Sequence, residues 1–165
     1  MTSNNPTQII AKPGEREVII TRVFDAPRDV VFRACTDPKL IPQWWGPARY
    51  TTKVDKMDVR PSGTWRFIQT DSEGNEFGFN GTYGEIVPPE RYSYTFEFEP
   101  MPGHILHDTV TFEDEGGKTK MTIHSVFQSV EDRDGMLNSG MESGLTESHD
   151  RFEQVLRREE ERILS

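Results

Sequence analysis

The sequence predicts an α+β fold: a curved antiparallel sheet of about seven strands wrapped round a long C-terminal helix, with two short helices after the first strand. Three observations lead there. Between Thr51 and Phe127 six segments alternate or run apolar over strand lengths, and turn signals at 61–63, 71–75, 88–90, 100–103 and 114–117 separate them. Beyond them Met141, Leu145, Phe152, Val155 and Leu156 share one helical stripe. A curled sheet needs a cover for its concave face, and this helix is the only large amphipathic element available.

The elements follow in order. Residues 1–14 are polar, contain Pro6, Pro13 and Gly14, and read as a flexible tail; residues 15–165 read as a single domain. The first strand is REVIITRVF, rich in β-branched side chains. Pro27 then opens a helix in which Val30, Val31, Ala34 and Cys35 recur at helical spacing. A second short helix is expected from an Asp37 N-cap and Pro38, ending before Trp44-Trp45-Gly46-Pro47. The six strands are TTKVDKMDV, TWRFIQT, FGFNGTYGEIV, RYSYTFEFE, HDTVTFED and TKMTIHSVF, joined as a meander.

Composition excludes several classes. The net charge of -9 argues against nucleic acid, and Arg157, Arg158 and Arg162 alternate with Glu159, Glu160 and Glu161 as on a solvated helix face. Cys35 is the one cysteine and is expected to be a buried structural thiol. No cationic, apolar leader and no run of membrane-spanning length is seen, so a cytoplasmic protein is expected. No phosphate loop, nucleophile elbow or dinucleotide fingerprint is present. The stretch HILHD, with His104, His107 and Asp108, is read as the hairpin loop that leads into the HDTVTFED strand, and it lacks the i, i+4 helical spacing and third ligand of a zinc site. No catalytic residue, metal or cofactor is therefore assigned.

The segments RVFDAPRDVVFRACTDPKLIPQWWGP, DVRPSGTWRF, GTYGEIVPPERYSYTFEF, TVTFEDEGGKTKMTIHSVF and GMESGL resemble, in that order, the family named after the C-terminal domain of the activator of the heat-shock-protein-90 ATPase. That family belongs to the SRPBCC superfamily of START-like, pollen-allergen-like helix-grip folds. The resemblance runs from Glu15 to Leu164 and implies a cavity between sheet and terminal helix. Two positions depart from the family pattern. Ser62-Gly63 stands where Gly-Gly is usual, and Leu145 where a tryptophan commonly follows the second glycine of the pre-helix motif. The cochaperone has a large additional N-terminal domain in place of the short tail here.

Strand alternation, together with that resemblance, names the candidate cavity walls. They are Trp65, Phe67, Tyr83, Tyr94, Phe96, Phe112, Met121 and Ile123 from the sheet, facing Met141, Leu145, Ser148 and Phe152 from the helix. Trp44 and Trp45 are placed at the mouth. Polar cavity candidates are Asp58, Arg60, Glu85 and His124; for an Asp58–Arg60 or Arg60–Glu85 pair, a structural ion pair at a sheet edge is the plainer reading. Three roles stand open. The first is a carrier of a small apolar or aromatic molecule. The second is an enzyme of the aromatase or cyclase kind, using Arg60, Tyr83, Glu85 or His124. The third is a protein-interaction module or homodimer using exposed surface. A packed core without a cavity is the alternative to the first two.

Overall fold

The computed structural model describes residues 6–164. Its elements are β1 (Gln8–Ile10), β2 (Glu17–Phe24), α1 (Arg28–Thr36), α2 (Ile41–Trp44), β3 (Thr51–Met57), β4 (Thr64–Thr70), β5 (Glu76–Val87), β6 (Arg91–Phe98), β7 (Ile105–Glu115), β8 (Lys118–Val126), α3 (Val130–Asn138) and α4 (Met141–Leu164). The strands form one antiparallel sheet in the order β1-β2-β8-β7-β6-β5-β4-β3. Helices α1 and α2 carry the chain from β2 to the far edge at β3, and α4 packs against both of them. This is the expected α+β helix-grip architecture.

Two elements correct the expected order. Part of the presumed tail is strand β1, in which Gln8, Ile9 and Ile10 pair with Thr21, Ile20 and Ile19. Three residues are too few to display an alternation, which is why the strand escapes a periodicity reading. Residues 1–5 of that tail lie outside the described residues. The second addition is α3, whose sequence VEDRDGMLN has no apolar stripe. Its start is nonetheless marked: Ser129 caps it, the hydroxyl oxygen accepting from the Asp132 N–H at 3.0 Å, with Glu131 and Asp132 in the first turn.

Helix α1 begins after Pro27, whose carbonyl accepts from the Val30 and Val31 N–H groups at 3.1 Å each. It buries Val30, Val31, Phe32, Ala34 and Cys35. Asp37 starts a turn rather than the second helix itself. Its side chain accepts from the Lys39 N–H, and α2 follows at Ile41.

Helix α4 turns Ser148, His149, Phe152, Glu153, Val155 and Leu156 inward, a spacing that lays one face along the sheet. Phe152 meets Phe24 edge-on at 5.0 Å and Trp44 at 4.6 Å. Burying each such side chain contributes about 1.5–3 kcal/mol. Arg22, also buried, reaches from β2 to Glu153 at 3.0 Å and to Asp150 at 2.9 Å, pinning the helix by charge. Two apolar clusters result. The larger holds α1, α2 and the middle of α4; the smaller joins Val18, Ile20, Leu106 and Phe127 to Met136, Leu137, Met141 and Leu145.

Candidate functional site

Between these clusters, under α4, lies a pocket of about 380 Å³. The sheet lines it with Trp65, Phe67, Phe79, Tyr83, Tyr92, Tyr94, Phe96, Leu106, Val110, Met121 and Ile123, and the helices with Cys35, Ile41, Trp44, Met136, Met141 and Leu145. Such a volume and lining match those of pockets for small organic molecules.

The segment after α2 forms one wall. Trp44 donates its indole N–H to the Ala34 carbonyl at 3.0 Å and so rests on α1. Trp45 turns the other way, edge-on to Phe67 at 5.2 Å and to Phe79 at 5.0 Å. Gly46 permits the divergence: it has φ +82°, and a β-carbon there would lie 2.1 Å from Nε2 of Gln69. Helix α4 secures the backbone. The Ser148 hydroxyl donates to the Trp44 carbonyl at 2.8 Å and accepts from the Gly46 N–H at 3.1 Å, while Arg151 donates to the Gly46 carbonyl at 2.6 Å. The two tryptophans are held by hydrogen bonds as well as by packing.

A polar row crosses the sheet floor. Register pairs Tyr83 with Tyr94, Tyr94 with Asp108, and Asp108 with Ser125, so four neighbouring strands place these side chains side by side on the pocket face. Asp108 is 7 % exposed. The Ser125 hydroxyl donates to its Oδ1 at 2.5 Å, and the Tyr94 hydroxyl is its second partner. Burial raises the Asp108 carboxyl to about 6, although both hydrogen bonds favour its charged form. The Tyr94 hydroxyl is pushed up by burial and by the Asp108 charge beside it. His149, also in the lining, is held down at about 3 by burial and by the nearby Arg22 cation, and is therefore neutral. Burial lifts the Cys35 thiol to about 12, consistent with the expected structural thiol.

The expected site residues divide into three groups. Trp44, Trp45, Trp65, Phe67, Tyr83, Tyr94, Phe96, Met121, Ile123, Met141 and Leu145 all line the pocket. Phe112 and Phe152 lie in the adjoining core, Phe112 stacked on Tyr92 at 6.1 Å and Phe152 against Trp44. The polar candidates all lie elsewhere. Asp58 and Arg60 follow the end of β3 and form an exposed ion pair at 2.7 Å. Glu85 is turned outward by a bulge between Tyr83 and Ile86 and pairs with Arg91, leaving Ile86 to pack on the core. His124 occupies the outer face of β8 beside Glu17 at 3.0 Å, because its neighbours Ile123 and Ser125 are the inward residues.

Asp108, Ser125, Gln69 and His149 take their place as the polar lining. Parity carries the signal for Asp108, since it lies two residues before Val110 and four before Phe112 on β7. The loop expected over HILHD is shorter than that: β7 begins at Ile105, so His107 and Asp108 lie within the strand. Among the described residues no three His, Cys, Asp or Glu side chains are grouped as metal ligands would be.

Sheet, clasping helix and lined pocket define a helix-grip protein. The family model for the Activator of Hsp90 ATPase homolog 1-like protein matches residues 25–157, and the chain belongs to that family. Among solved structures, a Rhodobacter sphaeroides protein is 22 % identical with a TM-score of 0.85, over 93 % of this chain and 99 % of that one. A protein from Arthrobacter aurescens is 24 % identical with a TM-score of 0.84, over 92 % and 91 %. CalU16 from Micromonospora echinospora is 24 % identical with a TM-score of 0.61, over 95 % and 78 %. Identities this low carry the fold alone. No curated protein matches the chain. No helix among the described residues is long and apolar enough to cross a membrane.

Proposed function

We propose that the protein binds a small apolar or aromatic molecule in the pocket between the sheet and α4. The observation that carries this reading is a space of about 380 Å³ walled by aromatic, Met and Leu side chains, with a few polar groups: the row from Tyr83 to Ser125 on its floor, and Gln69, Ser148 and His149 besides. A core serving stability alone gains from close packing, since unfilled volume costs contacts. The aromatic walls offer ring faces and edges at many angles, a surface suited to a flat ligand. Trp44, hydrogen-bonded to α1 through its indole and to α4 through its carbonyl, and Trp45, whose carbonyl accepts from the Thr52 hydroxyl, form the wall such a ligand would touch. An aromatase-like or cyclase-like activity would use the same pocket, with Asp108 in the acid–base role in place of Arg60, Glu85 or His124.

Titration of tryptophan fluorescence and of melting temperature against lipids, flavonoids and polycyclic aromatics tests the reading. A saturable emission change with a raised melting temperature is expected, because a ligand that binds only the folded state stabilises it. Neither signal across the panel would sink the proposal and favour a surface-acting protein partner.

A further inference from the structure

Building on that reading, we infer that the pocket selects ligands bearing a protonated amine on an aromatic or apolar body, with the amine seated on Asp108. Among the described residues Asp108 is the one acidic side chain in the pocket lining, and no Lys or Arg lines the pocket with it. A carboxylate offers about four acceptor sites. Ser125 and Tyr94 are its hydrogen-bond partners, which leaves acceptor capacity toward the pocket.

The groups around Asp108 do not supply a neutralising charge inside the pocket. The phenols of Tyr94 on β6 and Tyr83 on β5 and the thiol of Cys35 on α1 are pushed up, and the imidazole of His149 on α4 is pushed down, so all four stay neutral. His107 and His124, neighbours of Asp108 and Ser125 on β7 and β8, point to the other face of the sheet and do not line the pocket. Burying a carboxylate in apolar surroundings is costly unless a partner cation joins it. A ligand ammonium provides that cation and donates hydrogen bonds. A ligand carboxylate would bring repulsion to the same place.

Three probes with one ring system separate the possibilities: 1-naphthylmethylamine, 1-naphthylmethanol and 1-naphthoate, followed by calorimetry on the whole chain. At about pH 8 the amine should bind roughly tenfold or more tighter than the alcohol, with naphthoate weakest, as expected for a hydrogen bond to a charged group. At about pH 5, where Asp108 gains its proton, the advantage of the amine should fall by about tenfold. Asp108→Asn should abolish the preference for the amine over the alcohol. The wild-type pH comparison stands independently if that variant folds poorly.

Equal binding of all three probes, or naphthoate tightest, overturns the role of Asp108 and leaves the pocket reading intact. A preference for the amine as large at about pH 5 as at about pH 8 overturns it as well. Binding of none removes the pocket reading and this inference together.

Discussion

Protonating His149 should unfold this protein more readily than its surface charges would. The imidazole is 2 % exposed, edge-on to Phe24 at 5.7 Å and hydrogen-bonded through Nδ1 to the Thr7 hydroxyl at 3.0 Å. Its folded-state value is depressed from 6.5 to about 3, by burial first and by Arg22 second. A depressed histidine contributes stability that is present above 6.5 and is lost as pH falls toward 3, because only the unfolded chain takes up the proton. Each pH unit in that window is worth about 1.4 kcal/mol, so at about pH 4.5 the loss is roughly 2–3 kcal/mol. Urea denaturation of the wild type and His149→Gln at about pH 7 and about pH 4.5 isolates the effect, since other titrating groups are common to both proteins. The advantage of the wild type over the variant should shrink by roughly 2–3 kcal/mol, a relative midpoint shift on the order of 1–2 M urea. A difference constant to within about 0.5 kcal/mol would show that His149 titrates alike in both states and refute the reasoning.

Asp108 should act with the opposite sign. Its folded value is raised from 3.8 to about 6, so its contribution is full below 3.8 and is lost as pH rises through 6. Relative to Asp108→Asn, the wild type should lose on the order of 3 kcal/mol between about pH 4 and pH 7, read from the same urea curves; parallel profiles would contradict this. Gly81→Ala should cost roughly 3 kcal/mol or more and lower the melting temperature, because the added β-carbon would lie 1.7 Å from the Thr95 carbonyl oxygen, and an unchanged melting curve would reject that contact. Cys35 should resist a disulfide-exchange reagent at about pH 8 in the native protein and react on denaturation, since its thiol is buried and held at about 12; rapid native labelling would show an accessible thiolate.

Most of the sheet, α1 and α4 are legible from the periods of their side chains, and α2, four residues long, from the Asp37-Pro38 start signal before it. Trp65, Phe67, Tyr94 and Phe96 follow from the same alternation and do line the pocket. Alternation fails where the backbone inserts a residue. At Gly84 and Glu85 a bulge shifts the phase, so Ile86 rather than Glu85 continues the inward face. For Asp108 and His124 the phase is regular, and the parity already visible at Val110, Phe112 and Ile123 places one inward and the other outward. What obscures Asp108 is its charge, which reads as a loop or surface residue unless position outweighs polarity. Strand β1 and helix α3 lack any period to read: one is three residues long, and the other is marked only by its Ser129 cap.

Pocket occupancy is tested most directly by the amide and indole N–H chemical shifts of the protein titrated with 1-naphthylmethylamine. The expected result is a saturable set of shifts at the Trp44 and Trp45 indoles and at the backbone of Tyr94, Asp108 and Ser125, with outward residues such as Glu85 and His124 unmoved. Shifts confined to the outer face, or none that saturate, would contradict a ligand held between the sheet and α4.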